Sequence, residues 1–327
     1  MKALILNNYG AGLDLQELDK PVAAKGEVLI KIKSSGLNPL DIKIMAGQAG
    51  HAQTKLPAVL GIDVSGIVEA VGEGVTRFKA GDEVYGMIGG IAGNQGSLAE
   101  YVAADENFLA LKPKNLSFHD AAAVPLIFIT ACEAIVDRAN IHEGQKILIH
   151  GGAGGVGHIA AQIAKAKGAE VYATVRKHHF EQIKGYGAIP IEYTESDPES
   201  YVDEYTGGQG FDIILDNVGG KTLDDSFKAV KRYTGHVVSI LGWGTHSLAP
   251  LSFRGATYSG VFTLYPLISG IGRAHQGEIM RQATALIEAG KIKPVVSKSV
   301  YQLESAMEAY QEVEAGAKNG KVVVDLD

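Results

Sequence analysis

Two regimes of hydrophobic periodicity divide the chain. In EVLIKIKSSG, residues 27–36, Val28, Ile30 and Ile32 share one face while Lys31 and Lys33 point the other way. That alternation is the period of a half-buried strand. VSGIVEAVGEGV, GDEVYGMIGG and SLAEYVAAD continue as short β-prone runs bounded by glycines, and this spacing predicts a small irregular β-barrel. From about Phe118 the pattern changes, and helical stretches alternate with the apolar runs KILIHG, EVYATV, FDIILDNV and HVVSIL. Such alternation signals βαβ units around a parallel sheet. The tail returns to helical runs between strands. No repeat or low-complexity linker separates the regimes, so the boundary near residue 120 is a change of pattern rather than a flexible joint.

The second regime contains a glycine signature. Gly152, Gly154 and Gly157 match G-x-G-x-x-G directly after the apolar strand Lys146–His150 and ahead of a helical stretch. In that stretch Val156, Ile159, Ala160, Ile163 and Ala164 fall on one face, ready to pack on a sheet. The glycines allow a tight turn, close backbone approach to a pyrophosphate and close helix–strand packing. The helix start, with Gly155 and Val156, then offers free N–H groups to phosphates. A ligand-free glycine turn is the plain alternative. A nucleoside triphosphate is disfavoured, because no G-K-[ST] follows the glycines.

Strand two of such a unit often ends in Asp or Glu, which binds the ribose 2′-OH of NAD. Here the strand EVYATV, with Thr174, runs into Arg176, Lys177, His178 and His179, with no carboxylate at its tip. A positive cluster suits the 2′-phosphate of NADP, and a solvated loop with chance basic residues is the plain alternative.

Composition narrows the class. Hydrophobic residues make up 46% and charged residues 20% of 327, as in a globular protein with a full core. A net charge of −7 speaks against a general nucleic-acid or membrane-surface binder. The N-terminal MKALILNNYG has no long apolar run of the signal-peptide kind. The longest apolar run, Ala121–Cys132, is interrupted by Pro125 and Thr130 and is too short to span a bilayer. The single cysteine, Cys132, excludes an intrachain disulfide and a multi-cysteine zinc site, and fits a reducing cytoplasm.

The order of features resembles the medium-chain dehydrogenase/reductase superfamily, in its zinc-free quinone oxidoreductase and enone reductase branch. The resemblance covers essentially the whole chain. It is carried by GLNPLDIKI (36–44), PAVLGIDVSGIVEAVGEGV (57–75), FKAGDEVYG (78–86), GSLAEYV (96–102), ITACEAI (129–135), IHGGAGGVG (149–157), DNVGG (216–220) and NGKVVV (319–324). It implies an α/β fold: a Rossmann doubly wound parallel sheet over residues 122–264, plus a GroES-like β-barrel-type catalytic domain from residues 1–121 and 265–327. The implied activity is hydride transfer from NADPH to a quinone or to the C=C bond of an α,β-unsaturated carbonyl. An NADPH-binding sensor with little turnover is the alternative from another class.

Relatives that use zinc carry a ligand cysteine where this chain has Asn38, and a His-Glu pair where it has Ile62 and Asp63. Asparagine and isoleucine do not replace thiolate and imidazole on zinc, so no metal is expected. Charge on the substrate oxygen then needs a hydrogen-bond donor. The resemblance points first to Asn38, which is equally a good helix start before Pro39. Lys43 follows Asp41 in a D-x-K pattern and is a second candidate, and Tyr85 is a candidate proton donor, although a packed strand residue fits it as well. By resemblance Thr130 approaches the nicotinamide end, Leu241 and Phe262 wall the nicotinamide, and Asn217 and Val218 follow a parallel strand at the carboxyl edge where ligands of this fold bind. Tyr193 lies near the adenosine phosphate with Thr174, Arg176 and Lys177. Lys318 or Lys321 stands in for an arginine of the relatives. The resemblance also implies a homodimer joined through the last strand of the parallel sheet, in ATYSGVFTLY.

Overall fold

The computed structural model describes residues 1–316 and 320–326. These divide into two compact units, Met1–Ile129 with Leu264–Asp327, and Thr130–Thr263. The division falls within the helix Pro125–Cys132, eight residues beyond the boundary at residue 121 that the resemblance implies.

The first unit contains β1 (Lys2–Leu6), β2 (Asp14–Glu17), β3 (Glu27–Gly36), β4 (Ala58–Val59), β5 (Asp63–Val71), β6 (Glu83–Met87), β7 (Tyr101–Asp105) and β8 (Leu109–Leu111). Near the end of the chain it adds β15 (Tyr301–Gln302) and β16 (Val323–Asp325). Among the described residues these form a three-stranded sheet, β2-β1-β4, and a larger one ordered β15-β16-β3-β5-β6-β8, with β7 also on β3. The alternation in β3 has its expected result: Val28, Ile30 and Ile32 are fully buried and Lys31 and Lys33 are not. β3 accepts antiparallel partners along both its edges, β5 on one side and β7 and β16 on the other, which makes it the spine of the unit.

The second unit contains β9 (Lys146–His150), β10 (Glu170–Val175), β11 (Ile189–Glu192), β12 (Ile213–Asp216), β13 (His236–Ser239) and β14 (Thr257–Gly260). All pairs are parallel, in the order β11-β10-β9-β12-β13-β14. The chain therefore winds outward from β9 in one direction and then, from β12, in the other. The switch point lies between β9 and β12, and in such sheets the crevice at the carboxyl ends there receives ligands. Leu148, Tyr172, Ile214 and Val237 point to one face and pack with Phe211, Leu223 and Phe227 in a dry cluster.

Tyr85, a candidate proton donor on sequence grounds, is a core residue of the first unit. It is fully buried in β6. Its hydroxyl donates to the carbonyl of Met280 at 3.1 Å and lies 3.0 Å from the Thr284 hydroxyl, both on the helix Arg273–Glu288. Burial holds the phenol well above its ordinary pKa. Its job is to fasten that helix to the sheet. Tyr85→Phe is accordingly expected to lower unfolding free energy by about 1 kcal/mol in urea titrations, the net value of one buried hydrogen bond, while leaving kcat unchanged.

Candidate functional site

The glycine signature is built as a close backbone junction. Gly151 turns the chain out of β9 with φ +69°, in the left-handed region that favours glycine. The helix Gly155–Ala166 then starts from Gly154. A side-chain carbon on Gly157 would stand 2.2 Å from the Gly151 carbonyl oxygen, and one on Gly152 would stand 2.6 Å from Cβ of Ala173. Neither position has room for a substituent, so the helix start lies directly against the end of β9. Its first N–H groups have no partner within the helix, and with the positive end of the helix dipole they form an anion cradle. Ile159, Ala160, Ile163 and Ala164 are buried, as the periodicity requires.

The carboxyl ends of neighbouring strands close around this cradle. Thr174 is buried in β10 with its hydroxyl 3.1 Å from Nδ1 of His150, and the Gly152 N–H donates to the Thr174 carbonyl at 3.2 Å. Burial pushes the His150 imidazole down to about 4, so it is neutral at pH 7. The Asn217 amide donates to the His150 carbonyl at 2.8 Å, and its Oδ1 is buried with no partner, an acceptor left for a ligand donor. Val218 is half exposed and lies beside Gly151. Leu241 packs against Gly219, and its N–H donates to the Ser239 hydroxyl at 3.1 Å. Thr130 is buried with its hydroxyl 3.1 Å from that of Thr263, next in sequence to the exposed Phe262.

Beyond β10, Arg176 and Tyr193 come together. Nε of Arg176 donates to the Tyr193 hydroxyl at 3.0 Å. Lys177 is different. Its ammonium is 3.1 Å from Glu195, and its backbone N–H donates to the Glu192 carboxylate. The cluster read as purely basic is therefore a mixed one, because β11 brings Glu192 opposite Val175 at the tip of β10 and the turn after β11 brings Glu195. Sequence reading missed both glutamates, which lie more than a dozen positions further along the chain.

Two other expectations are corrected in the first unit, those for Asn38 and Lys321. Asn38 is 1% exposed and precedes the helix Pro39–Met45, where its backbone N–H donates to the Asp41 carboxylate at 3.0 Å. Its side-chain amide donates to Asp63 at 3.0 Å and to the Gly36 carbonyl at 3.3 Å, and its Oδ1 accepts from the Lys321 ammonium. Both N–H groups of the amide are used, which leaves none for a substrate oxygen. Lys321 is buried in the same cluster, donating to the Leu37 carbonyl at 2.7 Å and lying 3.7 Å from Asp63. It is an internal counter-ion, not a cofactor contact. Lys318 lies outside the described residues. Lys43 is exposed on the helix Pro39–Met45, and its charge helps lower the pKa of His51, behind the larger effect of desolvation. Asp41 and Asp63 were not singled out from sequence. The available signal was an acid inside an otherwise apolar run, GIDVSG.

Residues 24–114 match the alcohol dehydrogenase GroES-like domain, and residues 187–324 match the zinc-binding dehydrogenase family. The chain is 37% identical to 2-methylene-furan-3-one reductase of Solanum lycopersicum, over 99% of this chain and 79% of that protein. It is 35% identical, with the same coverage, to the chloroplastic NADPH-dependent alkenal/one oxidoreductase of Arabidopsis thaliana. The crystal structure of an alcohol dehydrogenase superfamily protein from Novosphingobium aromaticivorans matches with a TM-score of 0.97 and 48% identity, covering 100% of both chains.

Desolvation holds the Asp41 and Asp63 carboxyls above the usual carboxylate range, and the Lys321 charge opposes it. Breaking a buried pair of this kind costs about 3–5 kcal/mol, the loss expected for Lys321→Met. Without the ammonium both carboxyls rise further, so the native state retains protons that the unfolded chain releases near pH 4. Stability is then lost as pH rises through the folded values. Urea unfolding of the variant should show a larger deficit at pH 8 than at pH 5.

Proposed function

We propose a function from one premise: the chain belongs to the medium-chain dehydrogenase/reductase superfamily, in the branch of quinone and enone oxidoreductases. The protein is an NADPH-dependent oxidoreductase that delivers hydride to a quinone or to the C=C bond of an α,β-unsaturated carbonyl. The observation that carries this reading is the junction of Gly151 and Gly157 after β9, with the Arg176–Tyr193 pair after its neighbour β10. One part suits a pyrophosphate and the other a 2′-phosphate. When bound, the nicotinamide supplies hydride.

The second unit holds the cofactor. The helix start at Gly154–Gly157 takes the pyrophosphate. With Nε of Arg176 on Tyr193, the two terminal nitrogens of the guanidinium are the fork for phosphate oxygens. The Tyr193 hydroxyl, accepting from Arg176, keeps its own proton to donate. Asn217 Oδ1 receives an N–H or O–H at the nicotinamide end, where Thr130, Val218, Leu241 and Phe262 form the walls. Hydride transfer to the β-carbon of an enone would send an electron pair to the carbonyl oxygen, and a proton taken up at the α-carbon would complete the reduction. Lys43 is the remaining candidate to donate to that oxygen.

Zinc does not fit this chain. The positions that bear thiolate and imidazole ligands in the zinc-using relatives hold Asn38, whose amide is committed, and Ile62, which is fully buried and has no donor atom. A homodimer is proposed through β14, the edge strand, whose residues are mostly exposed; an uncovered parallel-sheet edge invites pairing. The proposed compartment is the cytoplasm, supported by one buried, unpaired cysteine.

Two measurements test these proposals. Steady-state kinetics with simple enones, alkenals and quinones should show NADPH oxidation and a preference over NADH. Arg176→Ala should raise KM for NADPH roughly tenfold to a hundredfold, the value of one charge-assisted contact, with NADH little affected. Lys177→Ala should change either cofactor little, since Glu195 already engages the ammonium. NADPH binding without oxidation by any acceptor would instead identify a sensor. Light scattering at micromolar concentration should give twice the chain mass.

A further inference from the structure

Glu192 occupies the end of β11, opposite Val175, one residue before Arg176. A carboxylate beside a phosphate site should repel the ligand. Its two oxygens are, however, both turned to donors of the protein. One accepts the backbone N–H of Lys177. The other accepts from the Thr194 hydroxyl at 2.9 Å and the Thr194 N–H at 3.3 Å. Lys177 is the first residue of a short 3₁₀ turn that Arg176 caps with extended backbone, φ −81° and ψ 152°. Its N–H is one of the donors that a helical start leaves without a partner. Glu192 thus satisfies the turn that launches the Arg176 side chain, and the next residue, Tyr193, holds Nε of the same side chain.

An exposed arginine has rotamer entropy to lose on gripping a ligand. Fixing its backbone and its Nε in advance removes part of that cost. We propose that Glu192 is a positioning residue for cofactor choice: it pins the Lys177 amide so that Arg176, held by Tyr193, is presented to the 2′-phosphate. The proposal rests on the NADPH reading. It inverts the simple electrostatic expectation, under which an acid at this place disfavours NADPH.

The sign of the effect separates the two. The full-length protein and its Glu192→Ala and Glu192→Gln variants are titrated calorimetrically with 2′,5′-ADP and with 5′-AMP. The native protein should bind 2′,5′-ADP more tightly. Glu192→Ala should lose roughly tenfold in 2′,5′-ADP affinity, the value of one hydrogen-bonded constraint, with 5′-AMP unchanged. Glu192→Gln, whose amide oxygen can still accept the Lys177 N–H, should retain most of the preference. Unchanged or tighter 2′,5′-ADP binding by Glu192→Ala, or equal losses in the two variants, overturns the positioning role alone. No preference for 2′,5′-ADP in the native protein overturns the NADPH reading, and this proposal with it.

Discussion

The second unit depends on one close approach of backbone to backbone. The Gly151 carbonyl lies where any side chain on Gly157 would have to be, so the end of β9 and the start of the helix Gly155–Ala166 meet without an intervening atom. This brings unpartnered N–H groups to the switch point of the sheet. It also sets the neighbouring strand ends, which are tied by side chains in pairs. His150 meets Thr174 at 3.1 Å, and the Ser239 hydroxyl donates to Asp216 at 2.7 Å. The other oxygen of Asp216 receives the N–H groups of Val218 and Gly219 at 3.0 and 2.9 Å. These bonds hold the loop that carries Asn217. The carboxyl edge is therefore held by hydrogen bonds of the protein itself, an arrangement of the preorganised kind in which donors and acceptors are most effective.

The first unit solves a different problem, the burial of charge. Asp41, Asp63 and Lys321 are all nine-tenths or more buried. Lys321 can only donate and an ionised Asp63 can only accept, so the Asn38 amide between them has one permitted orientation. Asp63 also receives the Leu126 N–H at 2.8 Å, at the start of the helix Pro125–Cys132, where an anion is favoured by the helix dipole. Four segments far apart in sequence are joined in this way. Desolvation makes such a cluster a weak source of stability. Its value lies in register, since no partner can slip without leaving a buried charge unpaired.

The two regimes of the fold were legible in the chain itself because periodicity is a local property. Val28, Ile30 and Ile32 reveal a buried strand face to a reader of ten residues, and the glycines after β9 reveal a cradle because their spacing and neighbours suffice. Arg176 was legible for the same reason, as the residue that directly follows a recognisable strand. The partners of polar side chains were not. Asn38 is a donor in sequence and a saturated hub in the structure, because Asp63 and Lys321 lie 25 and 283 positions away. Tyr85 finds its acceptor 195 positions on. Lys177 is paired with Glu195, which lies in the turn after β11, 18 positions away. A hydrogen bond or ion pair depends on ångström-scale distances that folding sets between remote segments. Thus the sequence alone determined which elements form and where the glycine turn and its helix start stand, and the tertiary structure alone decided which charged and polar groups bind one another.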